Sequence, residues 1–190
     1  GILGGMMNLP PITTIGSYIF NEQMGKLYQI TGSNVKIIKK MTFSKYCPNL
    51  RRAMFPKVEV IENEAFGGCY QLEEFIGKPK IVNYRAFSYC VSLRKIDLSR
   101  AEYIDQYSFE HCNELIEVDL KNIVQLHQEA FAKCNSIRRL RYNKKTEFDW
   151  KLLKNQQQKK LQIRLCVVDY MNVKQLQKSL KNIRICLTQL

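Results

Sequence analysis

The residues of this chain that could carry chemistry are seven cysteines, two histidines, a spaced pair of aspartates and a C-terminal set of arginines. Thiolate and imidazole at short fixed spacing would converge on a metal ion. No Cys-x-x-Cys pair occurs, and His111 and His127 show no ligand spacing, so no metal or other cofactor is expected. Asp97 and Asp119 lie 22 residues apart, and two carboxylates brought together can share a proton. Lys95 and Arg141 are placed to keep both ionised instead, and the histidines join no converging set, so an enzyme is not expected. Arg138, Arg139, Arg141, Arg164 and Arg184 point to a different chemistry, recognition of an acidic surface by clustered charge.

A repeat positions these residues. Ala65-Phe66-Gly67-Gly68-Cys69 returns as Ala86-Phe87-Ser88-Tyr89-Cys90, Ser108-Phe109-Glu110-His111-Cys112 and Ala130-Phe131-Ala132-Lys133-Cys134, every 21 to 22 residues. Apolar residues follow each Cys at three positions (Leu72, Leu93, Leu115, Ile137) and at six (Phe75, Ile96, Val118, Leu140). Upstream, Cys47 and Met24 continue the anchors with one extra residue after Phe43 and Phe20, and Ile15, Ile38, Ile61, Val82, Ile104 and Leu126 precede the six anchors. A period of this length with fixed apolar anchors is the signature of a solenoid, which offers an extended surface rather than an enclosed pocket. Triplets such as Ile96-Asp97-Leu98 and Val118-Asp119-Leu120 alternate apolar and polar and predict short strands, about eight rungs from Ile30 to Leu187. Between the last rungs the pattern turns helical: Asp149 caps a predicted helix over 150–158, and Val173, Leu176 and Leu180 fall at helix spacing.

The unit Leu93-x-x-Ile96-x-Leu98, preceded by Ala86-Phe87-x-x-Cys90, resembles the BspA-like branch of the leucine-rich repeats, found in bacterial surface proteins and expanded in protist parasites. The resemblance covers residues 12–142, with a divergent tail over 143–190. It departs where many leucine-rich repeats place an Asn after the strand, since Ser99-Arg100-Ala101 follows Leu98. It implies one α/β solenoid domain, a right-handed superhelix with a concave parallel sheet and short irregular or helical convex segments. It also implies recognition of other proteins in adhesion, signalling or phosphatase regulation. Lys40-Met41-Thr42-Phe43 approaches a phosphatase-docking string, but the repeat core claims Phe43.

Composition narrows the partner. No apolar run approaches the ~18 residues of a membrane span. Residues 1–20 lack the pattern of a signal peptide, and residues 1–5 read as an expression scar, so a cytoplasmic protein is expected. Five cysteines share one repeat position, which predicts a ladder of reduced, buried thiols rather than disulfides; oxidised, bridged cysteines would instead fit the runner-up, a cell-surface adhesion module. The net charge of +13 is concentrated at one end: residues 1–134 hold 16 Lys/Arg and 14 Asp/Glu, whereas residues 135–190 hold 14 and 3. Outward rows can be read by register. Arg52, Glu74, Lys95, Glu117 and Arg139 alternate in sign, as self-neutralising stitching would. The C-terminal arginines are expected on adjacent strands with no acid among them, as a patch for an acidic partner protein. Nucleic acid is disfavoured because no aromatic residues interleave. An anionic membrane surface is the alternative suited to Lys144, Lys145, Lys151, Lys154, Lys159 and Lys160. Sparse capping residues, up to about Pro11 at one end and beyond Ile183 to Leu187 at the other, predict a homodimer through the solenoid ends.

Overall fold

Each sequence repeat forms one turn of a parallel β-solenoid, described for residues 4–20, 22–44, 46–143 and 162–166 by a computed structural model. Every turn supplies one strand to a front face and one to a second face. The front face carries β1 (Met6–Asn8), β3 (Gln29–Thr31), β5 (Arg52–Met54), β7 (Glu74–Ile76) and β9 (Lys95–Ile96) as a five-stranded sheet. At the same repeat position, β11 (Glu117–Leu120), β13 (Arg139–Asn143) and β14 (Gln162–Cys166) form a three-stranded sheet. The second face is a six-stranded sheet of two-residue strands: β2 (Thr14–Ile15), β4 (Ile37–Ile38), β6 (Val60–Ile61), β8 (Ile81–Val82), β10 (Tyr103–Ile104) and β12 (Gln125–Leu126). All pairings are parallel, so residues at one repeat position lie side by side.

Several expectations are corrected. The α/β character is absent among the described residues, where the only helix is a 3-10 segment, Glu22–Lys26. The helices expected over 150–158 and around 173–180 lie outside the described residues. Apolar residues ahead of each anchor, read only as core, build the whole second sheet. Its strands are too short to show an alternating pattern, so they left no strand signature. The front face also begins earlier than Ile30, with β1, and Gly5 belongs to the fold. The Gly5 carbonyl accepts from Tyr28 and Gln29 N–H at 2.9 and 3.3 Å, just as the Tyr28 carbonyl accepts from Arg51 and Arg52 in the next turn.

The helix is missing because two tight turns fill the space between the second-face strand and the next front strand. Each holds a left-handed residue: Glu64, Arg85 and Tyr107 in one, Gly68, Tyr89, His111 and Lys133 in the other. That conformation costs a non-glycine residue roughly 1–2 kcal/mol. It aims the N–H along the solenoid axis at the next repeat: Glu64 donates to Tyr84 O (2.9 Å), Gly68 to Ser88 O (2.8 Å), Tyr89 to Glu110 O (2.7 Å) and His111 to Ala132 O (3.0 Å). Buried backbone donors thereby find partners without a helix.

The core is a column of stacked rings. Phe20, Phe43, Phe66, Phe87, Phe109 and Phe131 follow one another at centroid distances of 4.7–5.3 Å, nearly parallel from Phe66 onward. Beside it runs the cysteine ladder. The Cys90 thiol donates to Phe66 O at 3.2 Å, Cys112 to Phe87 O at 3.3 Å and Cys134 to Phe109 O at 2.8 Å. The same carbonyls accept the backbone N–H of the Cys in their own turn, as Cys90 N does to Phe87 O at 3.1 Å. A carbonyl has two lone pairs, and here the second is used by the neighbouring repeat's thiol. Where Ser108 replaces the repeat's Ala, its hydroxyl donates to Asp105 O at 2.6 Å, with Asn83 O 3.1 Å away, so the buried oxygen is satisfied.

Two mutations test this packing. Phe109 is fully buried between Phe87 and Phe131, so Phe109→Ala should lower unfolding free energy in a denaturant titration by about 3–5 kcal/mol. Gly32 faces Phe55 across one rung: a Cβ there would lie 2.9 Å from the Phe55 ring and 2.6 Å from a Val35 methyl. Gly32→Ala should therefore be destabilising by about 1–3 kcal/mol, and Phe55→Leu should recover part of the loss in a double-mutant cycle.

Candidate partner-binding faces

Parallel in-register pairing puts equivalent side chains one rung apart, so charge must alternate along a row or repel itself. On the front face Arg52 meets Glu74 at 2.9 Å and Arg139 meets Glu117 at 3.2 Å. One position earlier, Arg51 lies 3.9 Å from Glu73. Lys39–Glu62 (2.8 Å) and Lys80–Glu59 (3.9 Å) stitch the second-face side. Each such half-exposed pair contributes about 0–1 kcal/mol. Their larger effect is on which rows remain uncompensated.

The arginine cluster is only partly assembled as expected. The backbone N–H groups of Arg138 and Arg139 both donate to Ile116 O, placing β13 beside β11. That strand brings two acids among the arginines, which corrects the acid-free expectation: Arg139 reaches Glu117, and Arg141 reaches Glu117 at 3.6 Å and Asp119 at 3.7 Å. Both acids were legible, but the sequence was read along rows, and Arg141 pairs across two rows as well as along one. Arg138 is exposed and has no carboxylate partner among the described residues. The register sets Arg164 beside Arg141. Arg184 lies outside the described residues.

The aspartates do not form an acid–base pair. Burial pushes the Asp97 carboxyl up, but hydrogen bonds from the Ser99 side chain and backbone, with Lys78 at 3.1 Å, outweigh it and hold it below the usual range. The partner of Asp97 is thus Lys78 rather than Lys95, because Lys78 reaches forward from the preceding turn. Asp119 accepts from Lys121 N and pairs with Arg141. Among the described residues no group of three or more His, Cys, Asp or Glu side chains could hold a metal ion. Thr42 and Phe43 are fully buried, so the Lys40–Phe43 string is not displayed for docking.

With this geometry, comparison with known sequences is decisive. The profile of the BspA type leucine-rich repeat region matches residues 6–83 and 37–160, in six copies. The chain belongs to the BspA-type leucine-rich repeat family. The matched region starts at residue 6, where β1 begins, rather than at residue 12. Proteins of this repeat family are typically non-enzymatic scaffolds. Among solved structures the chain is similar to a leucine-rich repeat protein from Bacteroides ovatus, with 18% identity and a TM-score of 0.38. The likeness covers 85% of this chain and 60% of that one, so this chain spans 60% of that protein's length. No curated protein matches the chain.

Sequence reading missed one row of this BspA-type solenoid. Lys57, Lys78 and Arg100 sit at one position of the corner after successive front strands, all exposed. Their offset from the preceding Cys is ten, nine and ten residues, so a register counted from Cys does not align them. The second-face pairing brings them into line.

The cysteines are a structural set. Cys47, Cys69, Cys90, Cys112 and Cys134 are free and buried. Burial pushes the Cys47 thiol up from 9.0 to about 12 and raises Cys69, Cys90 and Cys112 as well. A thiol protonated in the folded state but ionised when unfolded favours unfolding as pH rises. Stability should be level below about pH 8.5 and fall above it, by up to ~1.4 kcal/mol per pH unit for each thiol. Thermal melts from pH 7 to 11 check this, and Cys90→Ala should make the decline shallower.

Proposed function

We propose that this protein is a protein-interaction scaffold that receives an acidic partner surface on its C-terminal front strands. The observation that carries this reading is the end of charge alternation there. Upstream rungs match a cation to an acid, whereas Arg138 is exposed without a carboxylate partner among the described residues and Arg164 enters beside an Arg141 already committed to Glu117 and Asp119. A second cation placed next to the first is unfavourable until an outside anion offsets it. Charge of this kind steers association and selects partners more than it adds raw affinity.

The setting that suits the core is a reducing one. Thiols that donate to buried Phe carbonyls lose that hydrogen when oxidised, so the ladder supports a cytoplasmic adaptor or regulator of a signalling enzyme over a surface adhesion module. The test is affinity capture with the wild-type protein, identification of the captured protein, and measurement of its purified form against variants. Arg138→Glu with Arg164→Glu should weaken binding by at least about tenfold. Both changes should leave the melting temperature nearly unchanged, and wild-type binding should weaken as salt rises. Undiminished, salt-independent binding by the variant would move the site to the uncharged N-terminal part of the front face, around Tyr28, Thr31 and Met54.

A further inference from the structure

The corner between each front strand and the second face is a tight turn. It is closed by Val35 N–H to Gly32 O (3.3 Å), Val58 N–H to Phe55 O (3.1 Å), Ala101 N–H to Leu98 O (2.9 Å) and Ile123 N–H to Leu120 O (3.2 Å). By the register of the second-face strands, the tips of successive corners carry Asn34, Lys57, Lys78, Arg100 and Asn122, with Lys121 one position earlier beside Ser99. The asparagines at either end tie tip to tip: Lys57 Nζ donates to Asn34 Oδ1 at 2.7 Å and Asn122 Nδ2 to Ser99 O at 2.6 Å. With rungs ~4.8 Å apart, the three tip cations form a ridge of about 10 Å along the solenoid axis.

What sets this row apart is its sign. Arg51, Glu73 and Arg94 alternate; so do Arg52, Glu74, Lys95, Glu117 and Arg139; so do Lys36, Glu59, Lys80 and Glu102. Three successive turn tips carry cations, between asparagines at Asn34 and Asn122. Lys78 pairs with Asp97, and among the described residues Lys57 and Arg100 have no carboxylate partner. Stitching between repeats explains the alternating rows and leaves this one uncompensated.

We propose that the turn-tip ridge is a docking track for an extended acidic peptide segment of another protein, lying parallel to the solenoid axis. Carboxylates on one side of an extended chain recur every ~6.8 Å, so the ridge spans about two of them. Flexible lysine stems take up the difference in pitch. The row carries no aromatic side chain on which a base could stack, which sets it apart from a single-stranded nucleic-acid site. The track uses none of Arg138, Arg139, Arg141 or Arg164, so it stands or falls independently of the front-face reading.

The test is fluorescence anisotropy with a labelled alternating Glu-Ser peptide of about ten residues, at low and at physiological ionic strength. Wild-type protein should bind it, more weakly as salt rises. A Lys57→Gln, Lys78→Gln, Arg100→Gln variant should lose about tenfold or more in affinity. All three residues are exposed, and an unchanged melting temperature would show that the variant remains folded. A Lys36→Gln, Arg51→Gln, Arg94→Gln variant, which removes the same charge outside both proposed surfaces, should bind like wild type. Equal binding by the ridge variant, or an equal loss in this control variant, would overturn the track. So would tighter binding of a single-stranded oligonucleotide of equal charge, or of vesicles of anionic lipid.

Discussion

The rest of the structure depends on one buried acceptor, the carbonyl of the repeat phenylalanine. It takes the N–H of the Cys that closes its own turn and the thiol of the Cys one repeat later. The phenylalanine ring stacks on its neighbours while its carbonyl links two turns, so apolar packing and polar satisfaction are met at the same residue. Alanine at the Cys position would leave the second lone pair unused. The thiol is small, largely apolar and a weak donor, which is what the site accommodates.

Left-handed residues extend the same logic to the corners. Some corner N–H groups bond within their own turn, as Gly67 does to Glu64 O (3.1 Å), and the left-handed conformation turns others toward the next repeat. Gly68 adopts this without strain, whereas Tyr89 and His111 occupy the same position with φ of 59° each. Their rings stack at 4.6 Å, which offsets part of the backbone cost. Repeats are thus bonded to one another through paired strands and through the left-handed turns, and no repeat is a complete unit alone.

Strict stacking also makes surface charge informative. Side chains at one repeat position have no choice of neighbour, so alternation is the low-energy arrangement and an unalternated row stands out. Self-pairing accounts for most of the front face, including Arg139 and Arg141. The exposed Arg138, the Arg164 beside Arg141 and the cationic turn tips are what it leaves over, and these remainders are where we propose partner recognition.

The Phe, Cys and Leu rows were legible in the sequence because burial demands the same residue type at a fixed spacing, and the family followed from them. The second sheet was not legible, since strands of two residues such as Ile37–Ile38 carry no alternation. Helical convex segments were expected and tight turns found instead: about a dozen residues must cross from one strand to the next while satisfying their backbone between repeats. The reach of Arg141 across to Glu117, and the alignment of Lys57, Lys78 and Arg100, likewise came only from the folded chain. Sequence determines which side chains must be buried, because burial leaves a periodic mark. Tertiary structure decides which exposed charges meet, because long side chains reach across rows and turn offsets vary by a residue without disturbing the core.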